Sequence, residues 1–346
     1  MTYRVAIIGC GKPWQSEGAT GFGMSHAHAE GYKATGQCQI VALADINEEN
    51  AQAFQQRHGG DQIFTDYRRM LAEVQPDIVS ICTWPGLHAE MVIAAAEAGV
   101  KAIHCEKPMA PTFGESRRML AACEAHGAQL TFNHQRRFGR AWRSVKELLA
   151  VGTIGKLERM EGHCPDMFDW GTHWFDMLNF YNDETPVEWL IGQIDLRGAH
   201  RVFGVMLEGQ GLAHFRYVNG VTATLTTGPI TPWQATNRLY GSNGMIELVI
   251  GENQSVRYWG GDMSGWQTVA DAFEEGGDIG DPVSLGIRDL VEALEAGREP
   301  ELSGRRAMRA TELIFATYES ARRRARVDLP LDIDDSPLQW LLAQQG

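Results

Sequence analysis

The chain has 346 residues, 44% hydrophobic and 22% charged, which excludes disordered and fibrous classes and leaves room for about two domains. Its 31 basic against 44 acidic side chains give a formal charge of −13, so the basic footprint of a nucleic-acid or anionic-membrane binder is missing. No run approaches the ~18 apolar residues of a membrane span, the apolar stretch 5–8 is too short for a secretory leader, and six cysteines without a CxxC pair suit free thiols, so a cytoplasmic setting is expected.

In chain order, short apolar runs predict strands over 5–8, 40–44, 78–82, 101–105 and 129–132. Between them, amphipathic stretches predict helices over 27–34, 48–57, 67–74, 88–98 and 113–126, with Gly99 and Gly127 where C-caps belong. Near-continuous apolar strands alternating with helices imply a parallel, doubly wound sheet. After about residue 135 the texture changes. A helix is expected over 141–151, a charged strand over 156–162 and an aromatic-rich helix over 170–181. Strand-like runs follow at 202–207, 211–218, 221–227, 237–240 and 245–250, punctuated by Asn219-Gly220 and Gly241-Ser242-Asn243-Gly244. The segment 282–326 turns helical again, and 327–331 reads as a last strand. This half is an α+β domain on a large, mostly antiparallel sheet, and the division falls between 1–133 and 134–346.

Gly9-Cys10-Gly11 after the first strand opens a dinucleotide fingerprint, yet position 14, where a third glycine belongs, is Trp. The acidic residue that binds the adenosine ribose should lie ~20 residues beyond the loop. Asp45 ends the second strand 34 residues after Gly11 but 22 after Gly23, so 12–22 reads as an enlarged loop and Gly23 as the start of the helix. The plainer alternative makes Gly18, Gly21 and Gly23 flexible loop residues only. Asp45-Ile46-Asn47, without an arginine, favours NAD over NADP, because a 2′-phosphate would be repelled.

Glu106-Lys107-Pro108 after a predicted strand resembles the signature of the Gfo/Idh/MocA oxidoreductases. Thr83…His88-Ala89-Glu90, Gln135-Arg136-Arg137-Phe138, Gly152-Thr153-Ile154-Gly155 and Asp169-Trp170-Gly171-Thr172-His173…Asp176 are similar to further motifs of that family, in the same order. The resemblance covers the chain and implies an N-terminal Rossmann domain holding NAD(P), and a C-terminal sheet domain that binds substrate and often mediates oligomers. A homodimer or homotetramer through that sheet is therefore expected. It also implies substrates among sugars, cyclitols and their derivatives. Three departures stand out: the loop insertion, Thr83-Trp84-Pro85 in place of Thr-Pro-Asn, and only 14 residues from Gly155 to Asp169, with Cys164-Pro165 where Gly-Gly is usual.

Oxidising a secondary alcohol needs a base, and His173 is the candidate because imidazole titrates near neutrality. Asp169, four residues earlier, is expected on the same helix face to orient it, and Lys107 to stabilise the alkoxide. The cofactor set is Gly9, Gly11, Gly23, Asp45, Thr83, Trp84, His88, Glu106 and Lys107. Arg136, His163, Trp170, Trp174 and Trp233 are candidate substrate contacts, each with a structural alternative, since tryptophan fills cores as readily as it stacks on sugar rings. Asp176 is assigned no chemistry. His26 and His28 lack a third ligand at metal spacing, so no metal is expected. The leading reading is an NAD-dependent dehydrogenase of a carbohydrate-type alcohol. An NAD-retaining glycosidase and a non-catalytic NAD-binding sensor are the alternatives.

Overall fold

The structure is a computed structural model that describes residues 2–229, 233–261, 263–273 and 281–344. The chain divides into two compact units: 1–135 with 277–307, and 136–276 with 308–346.

The first unit begins β1(Tyr3–Ile8), α1(Met24–Ala34), β2(Cys38–Ala44), α2(Glu48–His58), β3(Gln62–Phe64) and α3(Tyr67–Val74). It continues β4(Ile78–Ile81), α4(Pro85–Glu97), β5(Ala102–Cys105), α5(Phe113–His126) and β6(Gln129–Phe132). The strands form one sheet in the order β3-β2-β1-β4-β5-β6, and every pairing is parallel. The core strands β1, β4 and β5 are buried almost throughout, which explains why they read as unbroken apolar runs. The helices start on side-chain caps where the sequence offers them: Asn47 accepts from Glu49 N–H, Asp66 from Arg68 N–H and Thr112 from Glu115 N–H. Strand order reverses between β1 and β4, so the loops leaving those two strands flank the crevice at which doubly wound sheets bind ligands.

The second unit contains α6(Arg140–Ala150), β7(Leu157–Cys164), α7(Gly171–Tyr181), β8(Val187–Asp195), β9(His200–Val202), β10(Val205–Leu207), β11(Gln210–Tyr217) and β12(Thr222–Thr227). Then come β13(Gln234–Gly241), β14(Gly244–Gly251), β15(Ser255–Gly260) and β16(Gln267–Thr268). After α8(Pro282–Ala296) the chain ends in α9(Gly304–Arg323), β17(Val327–Asp328) and α10(Pro337–Ala343). Nine strands pair in the order β16-β15-β14-β13-β7-β12-β11-β8-β17, antiparallel except β7 with β12. Among the described residues no helix is long and apolar enough to cross a membrane, and all six cysteines are free.

Several predicted elements need correction. The division at 133/134 sits close to the first crossing, but 277–307 returns to the first unit. There α8 packs on α1 so closely that a Cβ on Gly31 would lie 2.7 Å from Ile287 Cδ1, a tertiary contact that sequence texture does not report. The predicted strand 202–207 is a hairpin, β9 to β10, because Phe203 and Gly204 take positive φ. The last strand stops at Asp328, and α4 begins at Pro85, a residue preorganised for a first helical turn.

Candidate functional site

In the first unit the loop after β1 is built for close approach. Gly9 and Gly11 have φ of 85° and 52°, and a Cβ on Gly9 would fall 2.6 Å from Cys82 O. The same construction on Gly11 meets nothing within 4 Å, which leaves its backbone open on that side. Gly23 caps α1 at φ 62°, where a Cβ would meet Lys12 O at 2.5 Å. The two ends of the 12–22 insert therefore touch, and an intact loop–helix geometry survives beneath it. Trp14 and Phe22 pack their rings together on the insert, 4.5 Å between centroids, and both are exposed. Asp45 Oδ2 accepts from Cys10 N–H (2.8 Å) and Gly11 N–H (3.2 Å), and Oδ1 accepts from Asn47 N–H (2.8 Å). The carboxylate at the end of β2 thus also fixes the glycine loop. No acidic side chain stands in the first turn of α1, leaving its N-terminus suited to an anion. These features fit a dinucleotide, with the pyrophosphate at Gly11 and Gly23 and the ribose at Asp45.

Behind Lys107 lies a buried network that the sequence reading missed. Glu106 Oε1 accepts from Asn133 Nδ2 (2.7 Å) and lies 2.9 Å from His28 Nε2, while His28 Nδ1 is 2.7 Å from Ser80 Oγ. Burial opposes charge on both members. The His28 pairing nevertheless holds Glu106 down at about 2, and Cys82 and Glu106 hold His28 up at about 10. The second Glu106 oxygen accepts the backbone N–H of Lys107 at 3.3 Å. Glu106 thus supports the backbone of Lys107. His88, fully buried, sets Nδ1 2.9 Å from Pro108 O and Nε2 3.0 Å from Thr83 O. It ties the two crevice loops together. Thr83 is half-buried and Trp84 exposed at the start of α4.

In the second unit, β7 leads into a turn and then α7. Asp169 stands in the turn just ahead of α7, where Asp166 Oδ1 accepts from Asp169 N–H (2.6 Å) and Trp170 N–H (3.1 Å). Asp169 and His173 are both buried. Asp166, buried beside Asp169 and Glu208, has its carboxyl raised to about 7, by burial first and then by those two carboxylates. Glu208 is held by Met167 N–H (2.7 Å) and the Tyr318 hydroxyl (2.8 Å). Asp176 forms a buried two-pronged pair with Arg137, at 2.9 and 2.8 Å, and Glu184 adds a contact at 2.6 Å. That pairing explains Asp176 structurally.

The tryptophans separate cleanly. Trp174 is fully buried and donates Nε1–H to Thr236 O at 2.7 Å, so it is core and its reading as a substrate contact is withdrawn. Trp170 is half-buried and packs edge-on to the exposed Trp233, 5.4 Å between centroids. The stretch 230–232 before Trp233 lies outside the described residues. His163 on β7 sets Nδ1 3.0 Å from Thr226 Oγ1, and burial lowers its pKa. Arg136 lies over Trp174, Trp170 and Trp142, with Cζ 4.3, 5.1 and 5.6 Å from the ring centroids.

The profile of a family described as "Oxidoreductase family, NAD-binding Rossmann fold", GFO_IDH_MocA, matches residues 3–134. That match supports an NAD-binding Rossmann fold for the first unit and spans about two fifths of the chain. Among relatives, D-apiose dehydrogenase of Paraburkholderia graminis is 28% identical over 94% of this chain and 90% of its own length. An inositol 2-dehydrogenase of Gluconacetobacter diazotrophicus is 34% identical over 45% of this chain and 43% of its own. Levoglucosan dehydrogenase, solved with NADH and levoglucosan, superposes with a TM-score of 0.80 at 21% identity, covering 96% of this chain and all of that one. At that identity the superposition speaks to the fold.

Proposed function

We propose that the enzyme interconverts a secondary alcohol and ketone of a sugar, cyclitol or glycoside. The observation that carries this reading is a histidine and a carboxylate, His173 and Asp169, buried at the head of an aromatic-lined helix in a family whose named relatives act on apiose and inositols. NAD, when bound, supplies the hydride acceptor or donor. Gly9, Gly11, Gly23, Asp45, Thr83 and Trp84 would hold it, with His88 and Glu106 fixing the loops behind.

His173 exchanges the hydroxyl proton, and its burial keeps water from competing for that proton. Asp169 orients the imidazole or the same hydroxyl. Lys107 places a cation where the alkoxide charge develops, and the Glu106–His28–Asn133 network keeps its backbone in place. Trp170, Trp233, His163 and Arg136 are the substrate-facing set. The exposed face of the large sheet carries Ile191 and Leu212, and we assign homodimer or homotetramer contacts to it, which light scattering checks.

The test is NADH formation at 340 nm with a panel of sugars and polyols. Lys107→Ala and His173→Ala should each lose about 10²-fold or more in turnover. Full turnover by Lys107→Ala, or sugar release from a glycoside without NADH accumulation, would overturn the proposal.

A further inference from the structure

Arg136 is an unusual cation. Its guanidinium rests on three indoles, and its Nη1, sealed from solvent, has no hydrogen-bond partner. Among the described residues no carboxylate forms an ion pair with it, although Asp169 and Cys164 lie near enough to favour its charge. Burial lowers its pKa to about 10, so it stays charged at neutral pH at a desolvation cost that indoles offset only in part. Close by, the buried Tyr181 hydroxyl also lacks a partner and feels the Arg136 charge. The fully buried arginine of this unit, by contrast, is satisfied. Arg137, one residue on, has two carboxylates.

We propose that Arg136 receives a carboxylate of the substrate, so that the favoured substrates are sugar acids, aldonates or uronates, in preference to neutral sugars. This rests on the dehydrogenase reading above and names its substrate class. Indoles against the guanidinium leave its edge as the polar approach, and an edge-on guanidinium matches a planar carboxylate through two parallel N–H···O bonds. A neutral hydroxyl would leave the buried charge uncompensated. A doubly charged phosphate would meet stronger repulsion than a singly charged carboxylate from Asp169 beside the guanidinium and from the overall charge of −13. Of the half-buried groups near it, Trp170 offers an indole for a sugar C–H face.

The experiment compares matched pairs with NAD: D-galacturonate with D-galactose, D-glucuronate with D-glucose, and D-gluconate with D-sorbitol, plus D-glucose 6-phosphate. It also measures thermal shifts of the NADH complex by the same compounds. The expected result is a kcat/KM at least 10-fold higher for an acid than for its neutral partner. Arg136→Gln should collapse that ratio by raising KM for the acid, and Arg136→Lys should restore it only partly. Neutral sugars oxidised as well as their acids, or a preference for the phosphate, would overturn the inference while leaving the dehydrogenase reading standing. An Arg136-dependent thermal shift by the acids without oxidation of any compound would support the carboxylate site and sink the dehydrogenase reading. Neither oxidation nor shift would sink both.

Discussion

Asp166→Asn tests how the head of α7 is held. The wild-type carboxyl, 3.8 when unfolded, is raised to about 7 in the folded chain, a difference equivalent to about 4 kcal/mol. Its sign follows from which state keeps the proton. Below the unfolded value the carboxyl is protonated in both states and folding carries no penalty. As pH rises, the unfolded chain ionises first, so folded-state stability falls until the folded carboxyl ionises near 7. Asparagine keeps the Oδ1 acceptor for the N–H groups of Asp169 and Trp170 but never ionises. Its amide is new to a buried site and costs ~1–3 kcal/mol at every pH if unpaired. Between pH 5 and pH 8, therefore, the stability difference should move by roughly 3 kcal/mol in favour of the variant. Urea unfolding followed by tryptophan fluorescence across that range provides the assay. Parallel pH curves for the two proteins would refute the reasoning, because they would mean that Asp166 carries no proton in the folded chain.

Three further outcomes follow from the same structure. Arg137→Met removes the cation from the buried Asp176 carboxylate, while Glu184 keeps Arg309, and should cost ~3–5 kcal/mol, whereas Arg137→Met/Asp176→Leu should recover part of the loss in the same denaturant assay. Glu106→Gln removes an ion pair whose contribution is complete between the unfolded values of 4.5 and 6.5. Glu106 loses it as pH falls towards about 2 and His28 as pH rises towards about 10, so the variant's stability should be flatter in pH and ~3–5 kcal/mol lower near pH 6. Gly11→Ala meets no atom within 4 Å and should lose only ~1–2 kcal/mol to its positive φ, yet weaken NADH binding at least 10-fold by fluorescence titration.

Much of the first unit was legible because its strands are buried on both faces and its helices carry their own caps. The insert at 12–22 was identifiable as well, since the spacing from Gly23 to Asp45 restores the fingerprint that Trp14 interrupts. The partners of the site residues were not legible. Glu106 meets His28 across 78 residues and Asn133 across 27, and no local period encodes such meetings. Asp166 went unnoticed because an aspartate before a helix is common, and only its own burial, with Asp169 and Glu208 beside it, shifts its proton affinity. Trp174 was misread for the reverse reason. A helical tryptophan next to a histidine looks like a stacking surface until the sheet closes over it.

By itself the sequence determined the parallel first sheet, the glycine loop with its acidic partner, and the ordered motifs that mark an oxidoreductase. Each of these is written in local spacing, in the runs, caps and turns that neighbouring residues impose on one another. Tertiary structure alone decided which charges are paired. Arg137 finds Asp176 and Glu184 and becomes a strut, while its neighbour Arg136 lies against indole faces with its buried Nη1 unpartnered. The difference is one residue in the chain. Physically it is a question of what fills a few ångströms around each guanidinium, and that is fixed mainly when distant segments such as 170–184 pack.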